Sequence, residues 1–424
     1  MAQASGTPTV THRPRRTGLL ALLLATLTMV GPFSIDTMFP AFVDIGHEFG
    51  VDAAAMQQTI SIYLVAFAVM SLFHGPISDA VGRKPVIVVG SVAYILASTV
   101  CAIAPSMAWL LAGRAMQGLC AGAGMIVGRT IVRDVFEGEA AQRTMSYMSM
   151  IFGVAPAIAP IVGGWLLGWT NWRSIFWFLA GFGLVLLLAA AVFLPETHPR
   201  EQRTPFRPGP LVGAVWTMVK DPNVARLCAV SSLNFGALFS YIAAAPAIIV
   251  TYLRLGQGDF GVLFVPVVAA LIFGSFLTGR LAGRLRSGTF LTMGFAASAV
   301  GGGLQVLGLA VTGGPHLPWV LAGPVLTAFG IALVFPIVTL VLLDQRPAHR
   351  GTASSLQSLT NTLLNAVIAG LVIPLIIGSM TSLAVTAIAF TLAAWMVWIW
   401  QQRRSPVPVS PPRAPLSLKP TEHL

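Results

Sequence analysis

Asp36 is the one carboxylate that lies clearly inside a long apolar stretch of this 424-residue chain, within Phe33-Ser-Ile-Asp-Thr-Met-Phe39. An aspartate at the centre of a membrane helix costs about 2.5–3.5 kcal/mol on insertion scales. A group kept at that cost is a functional candidate whose partner should be named. The partner on offer is Arg114, with Gln117, Gly118 and Ala121 on the same helical face. Counted from the ends of their apolar segments, Asp36 and Arg114 each sit roughly 9–10 Å inside, on antiparallel helices. A movement that changes the separation of this pair would load and release a proton. Two plainer uses of the same residues stay open: a fixed ion pair joining two helices, or an arginine snorkelling to the surface.

A second group occupies ten residues, Gly75-Pro-Ile-Ser-Asp-Ala-Val-Gly-Arg-Lys84, set between apolar segments. Gly75 and Gly82 would permit a tight turn and a close helix approach. Asp79 could accept from the free N–H groups of a neighbouring helix start, where the helix dipole favours an anion. Arg83 and Lys84 could equally be simple cationic anchors at a membrane face. A degenerate copy, Gly274-Ser-Phe-Leu-Thr-Gly-Arg-Leu-Ala-Gly-Arg-Leu-Arg286, keeps the glycines and arginines and has no aspartate. A third group, Gly153-Val-Ala-Pro-Ala-Ile-Ala-Pro-Ile-Val-Gly-Gly164, carries Pro156 and Pro160, which remove helix hydrogen bonds, and Gly163 and Gly164, which allow close packing.

These residues need a membrane scaffold. The chain is 56% hydrophobic and 9% charged, with mean hydropathy +0.81, whereas a soluble domain carries about 25% charged residues. Apolar segments are expected near 18–43, 56–76, 85–105, 108–132, 144–169, 173–194, 224–252, 262–283, 289–312, 317–343, 353–378 and 380–402. The fold class is therefore all-α, with twelve transmembrane helices in two bundles of six. The expected division is a tail at 1–17, a first bundle at 18–194, a linker at 195–223, a second bundle at 224–402 and a disordered tail at 403–424. The linker is rich in proline and charge, as a flexible connection between rocking halves would be.

Lysines and arginines give the orientation. Only Arg173 and Arg254 fall on the side opposite the termini, and Arg114 and Arg129 fall within a span. Cations concentrate on the cytoplasmic side, so both termini are expected there. The net charge of +11 is explained by this bias and does not call for nucleic acid. Cys101, Cys120 and Cys228 lie in apolar segments, with no disulfide or metal spacing. No cluster of His, Asp or Ser suggests a membrane enzyme.

The stretch 75–84 resembles the loop signature of the major facilitator superfamily, Gly-x-x-x-Asp-Arg-x-Gly-Arg-Arg/Lys, with Ala80 where that family usually has a cation. Residues 153–164 look like its antiporter motif, with Ala159 in place of the first glycine. Asp36-Thr-Met-Phe-Pro40, Arg114-x-x-Gln-Gly118, Arg129-x-x-x-Arg133-Asp134 and Trp172-Arg-Ser-Ile-Phe176 resemble the bicyclomycin/chloramphenicol-resistance branch of drug:proton antiporters.

The resemblance implies inverted 3+3 repeats in each bundle. It implies a cytoplasmic gate of Gly75, Asp79, Gly82, Arg83, Lys84, Arg133 and Asp134, and coupling through Asp36, Arg114 and Gln117. It implies export of amphiphilic small molecules from a bacterial inner membrane, by a monomer driven by a proton gradient with no cofactor or metal. Met38, Phe39, Asn234, Phe235, Phe239, Tyr241, Phe335 and Asn361 are candidates for the substrate cavity, with Gln357 and Asn365 on the Asn361 face. An endogenous metabolite, such as an amino acid or nucleoside, is the alternative cargo.

Overall fold

A computed structural model describes residues 14–281, 284–345 and 350–405. Most of the two expected tails lies outside the described residues. The spanning helices are α1 (Gly18–Phe49), α2 (Ala53–Val81), α3 (Arg83–Ala102), α4 (Met107–Val135), α5 (Gly138–Trp169), α6 (Arg173–Phe193), α8 (Gly261–Leu281), α9 (Ser287–Thr312), α10 (Leu317–Gln345), α11 (Arg350–Ile376) and α12 (Met380–Arg404). Each is long and apolar enough to cross a bilayer. The twelfth, α7 (Pro222–Ala243), is continued after a turn by the π-helical Ala247–Tyr252. It carries Asn, Ser and Arg, so its hydropathy signal is weaker. The protein is a multi-pass membrane protein. Helices α1–α6 pack on one another, and α7–α12 form a second bundle.

Turn chemistry sets the ends. Gly50, at φ 63°, closes α1 with its N–H bonded to Gly46 and His47 carbonyls, and Asp52 opens α2 by accepting from the Ala55 N–H at 2.8 Å. At the other end of α2 the turn is much shorter than the ten residues expected. Residues 75–81 are helical, despite Pro76, and a single residue, Gly82 at φ 106°, separates α2 from α3. That φ is open to glycine and strained for other residues. Gly75 has open space around it and makes no close approach.

The two bundles meet at the Gly50 end. There the second bundle presents carbonyls that its own helices leave free. Pro374 has no N–H to give Gly370, and the Gly370 carbonyl accepts from Gln58 Nε2 at 2.9 Å, at the π-turn Ile368–Val372. The Ala243 carbonyl, where α7 stops, accepts from Gln57 Nε2 at 2.8 Å. Ser61 Oγ donates to the Ala366 carbonyl at 2.9 Å, and Gln257 Nε2 donates to Asp44 at 3.0 Å. Phe39 stacks on Phe264 across the same seam, ring centroids 6.2 Å apart. Among the described residues, no direct hydrogen bond joins the bundles at the Gly82 end.

Candidate functional site

α1 is interrupted where its carboxylate sits. Its helical path loosens at Thr28–Met29, resumes over Val30–Asp36 and passes through a 3-10 turn at Phe39–Ala41 around Pro40. Asp36 is therefore the last residue of a short helical piece, buried to 5% exposure. Among the described residues, no donor side chain reaches its carboxylate within hydrogen-bond distance.

Arg114 is completely buried and reaches the same level. Its Nη1 donates to the Ser34 carbonyl at 2.7 Å and to Gln117 Oε1 at 2.8 Å, and its Nε donates to the Thr59 carbonyl at 3.3 Å. The guanidinium lies over the Tyr63 ring, 4.6 Å from its centroid. Gln117 Nε2 donates to Ser98 Oγ at 2.8 Å, and Ser34 Oγ pairs with Tyr94 Oη at 2.6 Å. One network thus links α1, α2, α3 and α4.

The expected direct pairing of Asp36 with Arg114 is absent. Arg114 is anchored on α1 two residues earlier, by the Ser34 carbonyl, and its Nη2 has no partner. The two charges are close enough for electrostatic attraction and each retains unspent bonding capacity. Snorkelling is excluded as well, because the side chain turns inward.

Gly118 and Gly122 let α4 approach α2: a Cβ at Gly118 would run into the Tyr63 carbonyl, and one at Gly122 would meet His74 at 3.3 Å. On α5, Pro156 and Pro160 lie inside a continuous helix, Gly138–Trp169. Gly163 and Gly164 divide their work. A Cβ at Gly163 would strike the Thr37 carbonyl of α1 in the same bundle, beside Asp36, whereas one at Gly164 would meet Gln257 and Gly258 of the second bundle.

At the Gly82 end, Arg83 is 5% exposed and is ion-paired with Asp79 on one side and with Asp134 on the other, Nε to Oδ2 at 3.3 Å. Its Nη1 also donates to Ser78 Oγ at 2.6 Å. Asp79 does not cap the neighbouring helix as expected, because its carboxylate is taken by the guanidinium. The acceptor for the first N–H of α3 is Glu196, at 3.0 Å from Arg83 N. Lys84 Nζ donates to the Ala191 carbonyl at 2.8 Å, and Arg133 is exposed.

The cavity candidates separate in the same way. Met38 and Phe39 are fully buried in the seam. In the second bundle, Tyr241 Oη pairs with Gln305 Oε1 at 2.6 Å, Ser232 Oγ with Asn361 Oδ1 at 2.7 Å, and Gln357 Nε2 with Ser231 and Thr339 hydroxyls at 2.8 and 2.9 Å. Asn234 Nδ2 and Asn365 Oδ1 are buried and unpaired. Phe235 and Phe335 pack together, 6.4 Å between centroids, and Phe239 is buried.

Sequence reasoning missed four participants. Glu48 receives Trp172 Nε1 at 2.6 Å and Arg173 Nη2 at 2.7 Å, which explains an arginine on the cation-poor side. Gln57 and Gln58 tie the seam. Glu196 was set aside as part of a linker. The isolation of Arg173 on the cation-poor side was a usable signal; nothing in the sequence pointed to Glu196.

Comparisons with known proteins fit this geometry. Residues 22–369 match the model of the Major Facilitator Superfamily. The chain is 27% identical to the bicyclomycin resistance protein homolog of Haemophilus influenzae, over 91% of this chain and 95% of that protein. It is 29% identical to multidrug resistance protein D of Escherichia coli, over 81% of this chain and 85% of that protein. A crystal structure of a peptide transporter in complex with alafosfalin shares the fold, with TM-score 0.73 and 17% identity, covering 93% of this chain and 96% of that one. With an all-helical architecture, a buried charged network between α1 and α4 and a family match across most of its length, the chain belongs to the Major Facilitator Superfamily of membrane transporters.

Proposed function

We propose that the protein exports amphiphilic drugs of the bicyclomycin and chloramphenicol type in exchange for protons, from a bacterial inner membrane with both termini cytoplasmic. The single observation that carries the reading is Asp36: a buried carboxylate without a hydrogen-bond donor, at a break in α1, beside an arginine that stops short of pairing with it. A carboxylate so placed is protonated or released by small changes in its surroundings. The names of the relatives support a drug as cargo, and the bias of Lys and Arg supports the orientation.

In that orientation the seam seals the outer end, and the Gly82 end is the side from which substrate enters. Alternating access then requires the seam of Gln57, Gln58 and Ser61 to open while Arg83 and its carboxylates come under load from the second bundle. The membrane voltage contributes about 2.3 kcal/mol per charge per 100 mV. The buried amides of the second bundle would meet uncharged hydrogen-bonding groups of the cargo.

Two measurements test this reading. In proteoliposomes, chloramphenicol added to proton-loaded protein should release protons, and a host lacking its main efflux pumps should become less susceptible on expression. Absence of both overturns it.

A further inference from the structure

The linker does not hang free. Over twelve residues, 195–206, it lies on the α2–α3 turn through contacts that the gate signature does not include. Glu196 Oε1 accepts from the first N–H of α3 at 3.0 Å and from the His198 N–H at 2.9 Å. Thr197 Oγ1 donates to Asp134 Oδ2 at 3.0 Å, the same oxygen that Arg83 uses. Thr204 N donates to the Asp79 carbonyl at 3.2 Å. Arg203 faces Glu196 at 3.9 Å, and Phe206 packs edge-on to Phe73, centroids 6.4 Å apart. A Cβ at Gly82 would collide with the Glu196 carboxylate and lie 2.6 Å from Arg203 Nη2. The site of positive φ is thus also the seat of the linker.

The chain next forms the helix Pro208–Val219, which packs on α7 and α11 and so belongs with the second bundle. Arg207 alone separates the part fixed to the first bundle from the part fixed to the second. A 29-residue linker therefore has almost no slack. When the bundles rock, the movement either bends the chain at Arg207 or pulls on Glu196, Thr197 and Thr204, and through them on Arg83, Asp134 and Asp79. Glu196 bears that load best. It is an anion at the positive end of α3, and it fills an N–H that α3 cannot satisfy internally.

We propose that Glu196 is a positioning residue of the transport cycle: it holds segment 195–206 on the α2–α3 turn and makes it the arm through which the second bundle moves the Arg83 cluster. The proposal rests on the transporter reading for its cycle, and on the geometry alone for the arm.

The test uses the full chain in nanodiscs, with Cys101, Cys120 and Cys228 replaced by alanine and spin labels at Glu137→Cys and Arg284→Cys, one on each bundle at the Gly82 end. In Glu196→Ala the distance distribution should broaden. Chloramphenicol turnover per folded molecule should fall about tenfold with KM unchanged, as for loss of a coupling energy. Glu196→Gln keeps an acceptor for the Arg83 N–H and should recover most of both. A residue that only stabilises the fold would lower yield or melting temperature and leave distances and turnover per folded molecule as in the parent; that result overturns the proposal. If Glu196→Ala does not assemble, Thr197→Val carries the same prediction through Asp134. A parent protein that transports no drug, yet whose distances respond to Glu196, would count against the proposed cargo and for the arm.

Discussion

In the first bundle the turn from α2 to α3 is built on a buried arginine held by two carboxylates and seated under a third. The corresponding turn from α8 to α9 carries Arg280, Arg284 and Arg286, with no carboxylate partner among the described residues. The interiors differ likewise. The first bundle buries Asp36 and Arg114 in a network that spans four helices; the second buries Ser, Thr, Asn and Gln. Two halves of one architecture have divided the labour. The first holds the buried charges, which in the proposed exchange respond to protons and voltage. The second offers neutral hydrogen-bonding groups, and broken helices whose spare carbonyls receive the first bundle at the seam.

Substitutions can break this contrast. The largest effect is expected at Arg114. Arg114→Met would leave three acceptors without their donor and Asp36 without a countercharge, at about 3–5 kcal/mol. Thermal unfolding of the purified protein should show the loss, and efflux should cease. Arg114→Lys should not restore it, since a point charge cannot serve Ser34, Thr59 and Gln117 together. Next, Arg83→Ala should lower drug turnover at least about tenfold, while Arg284→Ala should stay within about twofold. Equal losses would erase the asymmetry between the two turns.

A smaller effect is expected along α5. Gly164→Ala inserts a methyl against Gln257 across the seam and should cost about 1–3 kcal/mol, whereas Gly153→Ala, facing open space, should cost nothing measurable. The smallest belongs to the second bundle. Gln357→Leu removes bonds to Ser231 and Thr339, about 1 kcal/mol of stability, and should alter which drugs are carried more than whether protons are.

The sequence made the helices legible, because runs of about 20 apolar residues have few other uses. Glycines with a packing role were legible too: Gly163 and Gly164 both stand where a Cβ would collide. Three features were not. The stretch 75–81 looked like a loop because Gly, Pro and Asp usually break helices, yet membrane helices tolerate them. Asp36 and Arg114 were recognised as partners in depth, but their separation depends on which α1 carbonyl captures the guanidinium, and composition carries no trace of that. The linker's proline-rich composition suggested flexibility, while its order comes from contacts with residues distant in sequence, 63 positions away for Thr197 on Asp134 and 113 for Glu196 on Arg83. Local patterns reveal periodicity; they do not reveal which distant N–H a carboxylate will satisfy.

The central claim is that Asp36 carries the exchanged proton, and drug-driven proton release from purified Asp36→Asn tests it most directly. The account predicts that this variant folds, binds chloramphenicol and releases no proton. Proton release equal to that of the parent would contradict it.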